Sequence, residues 1–96
     1  MTFEQTYRQN IELELEGTYP EHFDNILFMD GHDYALIGFV EIDGIPRTAY
    51  SYTRILETLV ADHEMTCEDA LDFFGYNIQG AYVGTYTPII VYDGTF

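Results

Sequence analysis

The chain has 96 residues, 47% of them hydrophobic, including nine tyrosines and seven phenylalanines. It has no lysine. Three arginines (Arg8, Arg47 and Arg54) and seventeen Asp and Glu residues give it a formal net charge of -14. The length predicts one domain. The aromatic content excludes a disordered acidic tail, and the charge excludes direct binding to nucleic-acid phosphates or anionic membranes, which both need Lys and Arg clusters.

Residues 2–16 fit two structures. Residues 11–16 (IELELE) alternate as in a half-buried strand, but apolar residues also recur at every fourth position, as on one helix face: Phe3, Tyr7, Ile11 and Leu15. A capping-box pattern at Thr2 and Gln5 and a stop at Gly17 favour the helix. Three acids then lie at its C-terminal end, where the helix macrodipole disfavours them: Glu12, Glu14 and Glu16.

The middle of the chain predicts a β-hairpin. Composition predicts turns at residues 21–25 and 30–33, followed by a strand over residues 34–42. Asp43-Gly44 predicts a tight turn into a returning strand over residues 45–50. Pro46 cannot donate a ladder hydrogen bond, so we expect it at the start of that strand or on a sheet edge.

Two capped helices are predicted next. Ser51 caps a helix through about Ala61, with its buried side formed by Ile55, Leu56, Leu59 and Val60. Thr66 caps another helix, with Asp69 three residues further on. The residues predicted to lie on its inner side are Ala70, Leu71, Phe73 and Phe74. Gly75 ends or kinks this helix. Residues 80–84 (GAYVG) predict a turn, and residues 88–92 (PIIVY) a strand apolar enough to be central.

Together these elements predict an α+β fold. It has a small antiparallel sheet of about three strands, built from the hairpin and the C-terminal strand, with about three helices packed on one face.

No catalytic or metal site can be derived from the pattern. His63 and Cys67 stand four residues apart, but a structural zinc site needs four ligands, and His22 and His32 are the only other histidines. Ser51 is explained as a helix cap, and the acids around Cys67 disfavour a thiolate. We therefore expect a non-enzymatic protein with no metal and no cofactor.

The single cysteine excludes an internal disulfide, which secreted domains of this size usually need. The first ten residues lack the basic and apolar regions of a signal peptide, and the apolar runs are too short to span a bilayer. We expect a cytoplasmic protein with no membrane partner.

Several short segments between residues 35 and 91 carry a resemblance to known proteins. They are residues 35–38 (ALIG), Tyr52, Ile55 and Leu56, Met65 and Thr66, residues 68–70 (EDA), Asn77, residues 80–84 (GAYVG), and Thr87 and Pro88. In these segments the chain resembles a set of small, uncharacterised accessory proteins of tailed phages and prophages. The resemblance implies a setting in the cytoplasm of an infected host cell and supplies no catalytic residues. It does not include the acidic N-terminal third, residues 1–33.

Acids are concentrated in two runs. The first acidic run comprises Glu12, Glu14, Glu16, Glu21 and Asp24. Tyr19 and Phe23 lie within it as candidate aromatic anchors, since aromatic residues dominate interface hot spots. The second acidic run comprises Asp62, Glu64, Glu68, Asp69 and Asp72, of which Glu68 and Asp69 also suit a helix N-terminus.

A rigid display of carboxylates can imitate duplex DNA, which carries one charge per ~1.7 Å of axis. The sequence therefore favours an inhibitor that docks on the basic, nucleic-acid-binding surface of a host protein, such as a defence nuclease. Acidity could instead serve only solubility or adaptation to high salt. The alternative function is assembly through homodimerisation, driven by exposed members of a tyrosine set: Tyr50, Tyr52, Tyr76, Tyr82, Tyr86 and Tyr92.

Overall fold

The computed structural model describes residues 7–95, and these contain three α-helices and three β-strands. In chain order they are α1 (Tyr7–Thr18), β1 (Leu36–Ile42), β2 (Ile45–Ser51), α2 (Tyr52–Asp62), α3 (Cys67–Asn77) and β3 (Ile89–Val91). Short 3-10 turns occupy Phe23–Asn25 and Asp33–Ala35. The α+β class, with about three helices and three strands, is confirmed.

Residues 7–18 form a helix rather than a strand. Ile11 and Leu15 are buried on its inner face, as the four-residue spacing predicts. The helix continues through Gly17 to Thr18, so Gly17 does not stop it. Phe3 and the predicted capping box lie outside the described residues.

The hairpin forms at the predicted place. Asp43 and Gly44 both have positive φ, at 52° and 80°, as a two-residue hairpin turn requires. Ile42 pairs with Ile45, and β1 and β2 run antiparallel from there. The strand begins at Leu36 rather than at residue 34, because Asp33–Ala35 form the preceding 3-10 turn.

The third strand corrects the prediction of a wholly antiparallel sheet with a central C-terminal strand. The order is β1-β2-β3, with β3 on an edge and parallel to β2. Parallel neighbours need a long crossover, which α2 and α3 provide. β3 pairs only with Ala49–Ser51. On the side of β2 that faces β3, the half that carries Pro46 therefore has no neighbouring strand within the described chain.

Helices and sheet close over a core centred on Tyr50, whose side chain is 0% exposed. The Tyr50 hydroxyl accepts a hydrogen bond from the Met29 amide at 2.8 Å. The other large, fully buried apolar side chains are Leu15, Leu36, Ile55, Leu56 and Leu59.

Helix α3 contributes less to the core than its composition predicts. Ala70 and Phe74 are buried, one turn apart, whereas Leu71 and Phe73 are 40% and 38% exposed. The expectation that all four residues lie inside was wrong. Ala70 and Phe74 share the buried face of the helix, whereas Leu71 and Phe73 lie on either side of that face. The helix also continues through Gly75 to Asn77.

The C-terminal segment is tied to the start of α2. Ser51 caps α2 by accepting from the Arg54 amide, and its hydroxyl also donates to the Asp93 carboxylate. Asp93 accepts two further hydrogen bonds, from the amide and the hydroxyl of Thr53, each at 3.1 Å. These bonds, that from Ser51 foremost, lower the pKa of Asp93. The carboxylate thus acts as a second cap on α2.

Removing this cap should destabilise the fold. We expect Asp93→Ala to lower the free energy of unfolding by about 1 kcal/mol, the usual value of a helix cap, in urea titrations at pH 7. Asp30→Ala is the matched control, because Asp30 is exposed and forms no hydrogen bond or ion pair in the described chain. Equal losses in the two variants would contradict the capping role.

Candidate functional site

Arg8 is held inside a network that joins α1 to the segment before β1. Its guanidinium forms an ion pair with Asp33 at 2.9 Å and a looser one with Glu12 at 3.6 Å. It also lies over the ring of Phe28, 4.5 Å from the centroid. Arg8 is therefore oriented by the fold.

The other two arginines are engaged in the same way. Arg47 Nε donates to the carbonyl of Thr87 at 2.5 Å, which links β2 to the segment before β3. The guanidinium of Arg54 lies over the ring of Tyr34, 5.0 Å from the centroid. All three cations thus take part in contacts between elements.

Most carboxylates in the described part of the chain are not engaged in ion pairs. Within residues 7–95 only Glu12 and Asp33 form ion pairs, both with Arg8. Glu41, Glu57 and Asp93 accept hydrogen bonds from hydroxyl groups. Of the ten acids in the two acidic runs, nine are exposed and one, Glu12, is half-buried. The surface charge is therefore left largely unneutralised.

The three acids of the first acidic run that lie on α1 are divided between two sides of the helix, whereas Glu21 follows α1 in a turn and Asp24 lies in the 3-10 turn Phe23–Asn25. Glu12 and Glu16 share a side with Leu13, and together with Gln9 and Phe23 they line an open groove of about 340 Å³. Glu14 instead lies near Tyr19. The pKa of the Tyr19 hydroxyl is raised, first by its hydrogen bond to Glu41 and to a lesser extent by the charge of Glu14.

The two candidate aromatic anchors, Tyr19 and Phe23, differ in the contacts that their side chains form within the fold. Tyr19 is half-buried, donates to Glu41 at 2.5 Å and packs edge-on against Phe39 at 5.9 Å between ring centroids. Phe23 is half-buried against the core, but it also borders the groove beside α1. Phe23 is the aromatic residue of the first acidic run that lies beside Glu12 and Glu16.

The second acidic run surrounds the corner between α2 and α3. Asp62 ends α2, and Glu68 and Asp69 occupy the first turn of α3, where the macrodipole favours them. Thr66 caps α3 as predicted, accepting from the Asp69 amide at 3.0 Å. All five acids of this run are exposed.

The two runs are carried by different parts of the fold. α1 packs chiefly against β1, whereas α3 packs chiefly against α2. The two acidic runs thus belong to different helices and the turns beside them. No helix of residues 7–95 is long and apolar enough to cross a bilayer.

Other chemistry-bearing side chains do not converge. In the described part of the chain, no group of three or more His, Cys, Asp and Glu residues could hold a metal ion. Cys67 is exposed at the start of α3, and Ser51 is buried in its cap contacts.

A second groove, of about 380 Å³, has no counterpart among the features predicted from the sequence. It lies between residues 27–29, the end of α3 and the loop before β3, and its lining is mostly apolar, including Leu27, Phe28, Ile78, Val83 and Ile90. These residues are far apart in sequence and lack a common periodicity, so no local signal indicates the groove.

His32 is the one described side chain with a buried polar atom that lacks a hydrogen-bond partner, its Nδ1. Burial lowers the pKa of His32, and the nearby His63 lowers it further. His22, in contrast, has a partner, since its Nδ1 lies 2.7 Å from the Tyr86 hydroxyl. The fold therefore favours the neutral form of His32.

This environment predicts a pH dependence. A histidine whose pKa is depressed by folding contributes stability that is present above its unfolded pKa of about 6.5 and is lost as the pH falls through that value towards the folded pKa. Between pH 7.5 and 5.5, wild type should lose more stability in urea titrations than His32→Gln. Parallel pH profiles for the two proteins would contradict the assignment.

The chain matches no known protein-family profile, and neither a curated protein nor a solved structure is significantly similar to it.

Proposed function

We propose that this chain is a small, acidic, non-enzymatic binding protein that docks on a basic, nucleic-acid-binding surface of another protein. The observation that carries the proposal is the arrangement of charge. Every arginine is engaged in contacts between elements, while nine of the ten acids in the two acidic runs are exposed. Among the ten acids of the two runs, Glu12 alone has a cationic partner within the described residues, Arg8 at 3.6 Å, so a basic partner meets largely unpaired carboxylates.

The resemblance to phage accessory proteins supplies the setting. In an infected cell, a partner of this chemistry would be a host protein that binds nucleic acid, such as a defence nuclease. Occupation of its basic groove would block the nucleic acid, making this chain an inhibitor that acts as a DNA mimic.

Physical chemistry favours this mode of binding. A strongly negative field accelerates encounter with a positive groove, in a manner that weakens as salt is added. Docking also releases the counterions condensed on both surfaces, as nucleic-acid binding does. Six of the ten acids lie on helices that are fixed to the core, because α1 is anchored by buried Ile11 and Leu15, and α3 by buried Ala70 and Phe74.

The proposal predicts salt-dependent capture that depends on the position of the acids. We expect the immobilised chain to retain nucleic-acid-binding host proteins at about 50 mM salt, and excess duplex DNA to compete for them. Glu14→Gln with Glu16→Gln should weaken the measured affinity by about tenfold. The control Asp30→Asn with Asp43→Asn removes the same charge outside both runs, and Asn suits the positive φ of Asp43.

Two results would overturn the proposal. One is that no nucleic-acid-binding protein is retained at low salt. The other is that the control pair and the Glu14/Glu16 pair weaken binding equally, which would mean that only the total charge matters.

Self-association is the second candidate, and exposed aromatic residues favour it. Tyr76 is 88% exposed, Tyr82 76% and Tyr92 57%, and Val83, which follows Tyr82 in the chain, is 63% exposed. That several of the tyrosines lie outside the core agrees with the sequence prediction, although Tyr50 is fully buried and cannot take part.

This candidate predicts a reversible dimer in sedimentation equilibrium at micromolar concentration. Tyr76→Ser and Tyr82→Ser should each weaken it, because exposed apolar area drives such contacts. A monomer at all micromolar concentrations would remove self-association from consideration.

A further inference from the structure

The polar side of α1 carries one aliphatic residue. Leu13 is 53% exposed and lies on the side of the helix away from buried Ile11 and Leu15. It lines the groove of about 340 Å³ that Phe23 also lines. Leu13 and Phe23 thus form the apolar part of a groove whose other lining residues are Gln9, Glu12 and Glu16.

The rim of this groove is negatively charged. Glu12 and Glu16 line it from successive turns of α1, and Glu16 forms no ion pair within the described residues. Within residues 7–95, the cation near Glu12 is Arg8, which lies closer to Asp33, at 2.9 Å, than to Glu12, at 3.6 Å. Charge complementarity therefore calls for a cationic occupant.

The same charges argue against other occupants. A second copy docking here would bring Glu12 and Glu16 against acids of its own surface, and anionic lipid would be repelled for the same reason. An uncharged apolar segment would leave the carboxylates without partners.

We propose that this groove binds a segment of the basic partner in which an apolar side chain is flanked by arginine or lysine. The apolar side chain lies against Leu13 and Phe23, and the flanking cations pair with Glu12 and Glu16. The inference rests on the proposed function and deepens it, because it gives the first acidic run a selectivity that charge alone lacks.

Two synthetic peptides test the inference. Each has six arginines around one central residue, which is leucine in the first peptide and serine in the second. Affinities are measured by fluorescence anisotropy at about 50 and 300 mM salt. Wild type should bind the leucine peptide about fivefold more tightly than the serine peptide at both concentrations, because burial of apolar area is little affected by salt screening.

Variants separate the two contributions. Leu13→Ser should abolish the preference for the leucine peptide and retain affinity for the serine peptide. Leu71→Ser is the matched control, since Leu71 is an exposed leucine, 40% accessible, on α3. Glu16→Gln should weaken both peptides and reduce the salt dependence, with the preference intact. Amide chemical shifts on adding the leucine peptide should change at residues 9–16 and 23.

The outcomes distinguish this inference from the function on which it rests. Equal affinity of wild type for the two peptides, or a preference that survives Leu13→Ser, would overturn the groove assignment while leaving charge-driven docking intact. Shift changes confined to α3 would do the same. If neither peptide binds at about 50 mM salt, both the groove assignment and the proposed function fail.

Discussion

The engagement of all three arginines in contacts between elements is the constraint on which the surface properties depend. Arg8 joins α1 to Asp33, Arg47 joins β2 to the carbonyl of Thr87, and Arg54 lies over Tyr34. With no lysine in the sequence, these three arginines are the only Lys or Arg side chains, and within the described residues only Arg8 forms ion pairs with carboxylates. The apolar core must therefore outweigh the mutual repulsion of the exposed carboxylates, and the resulting field is available to a partner.

The two acidic runs stand in different relations to local stability. Glu68 and Asp69 lie in the first turn of α3, where they stabilise the helix, so their presence needs no functional explanation. Glu14 and Glu16 lie in the last two turns of α1, which has no basic residue in its last turn. There the macrodipole opposes them. Because these acids oppose the α1 macrodipole and do not stabilise the helix, the first acidic run is the stronger candidate for a binding role.

Patterns within a few residues predicted the hairpin turn and the two helix caps, because short-range contacts determine these features. Asp43-Gly44 provides the turn, and Ser51 and Thr66 each accept the amide three residues on. The direction of β3 was not predictable in this way, because it depends on how α2 and α3 return the chain to the sheet. The exposure of Leu71 and Phe73 likewise depends on how narrow the contact between α3 and α2 is, which no periodicity within α3 encodes.

Leu13 shows why the groove escaped sequence analysis and why it is informative. In the strand interpretation of residues 11–16, Leu13 shares the buried face with Ile11 and Leu15. A helix turns each residue by about 100°, which moves Leu13 to the opposite side. The structure therefore places a leucine among glutamates, beside Phe23. In the proposed binding mode, charge attracts many basic chains to this surface, and contact with Leu13 and Phe23 favours those that present an apolar side chain between their cations.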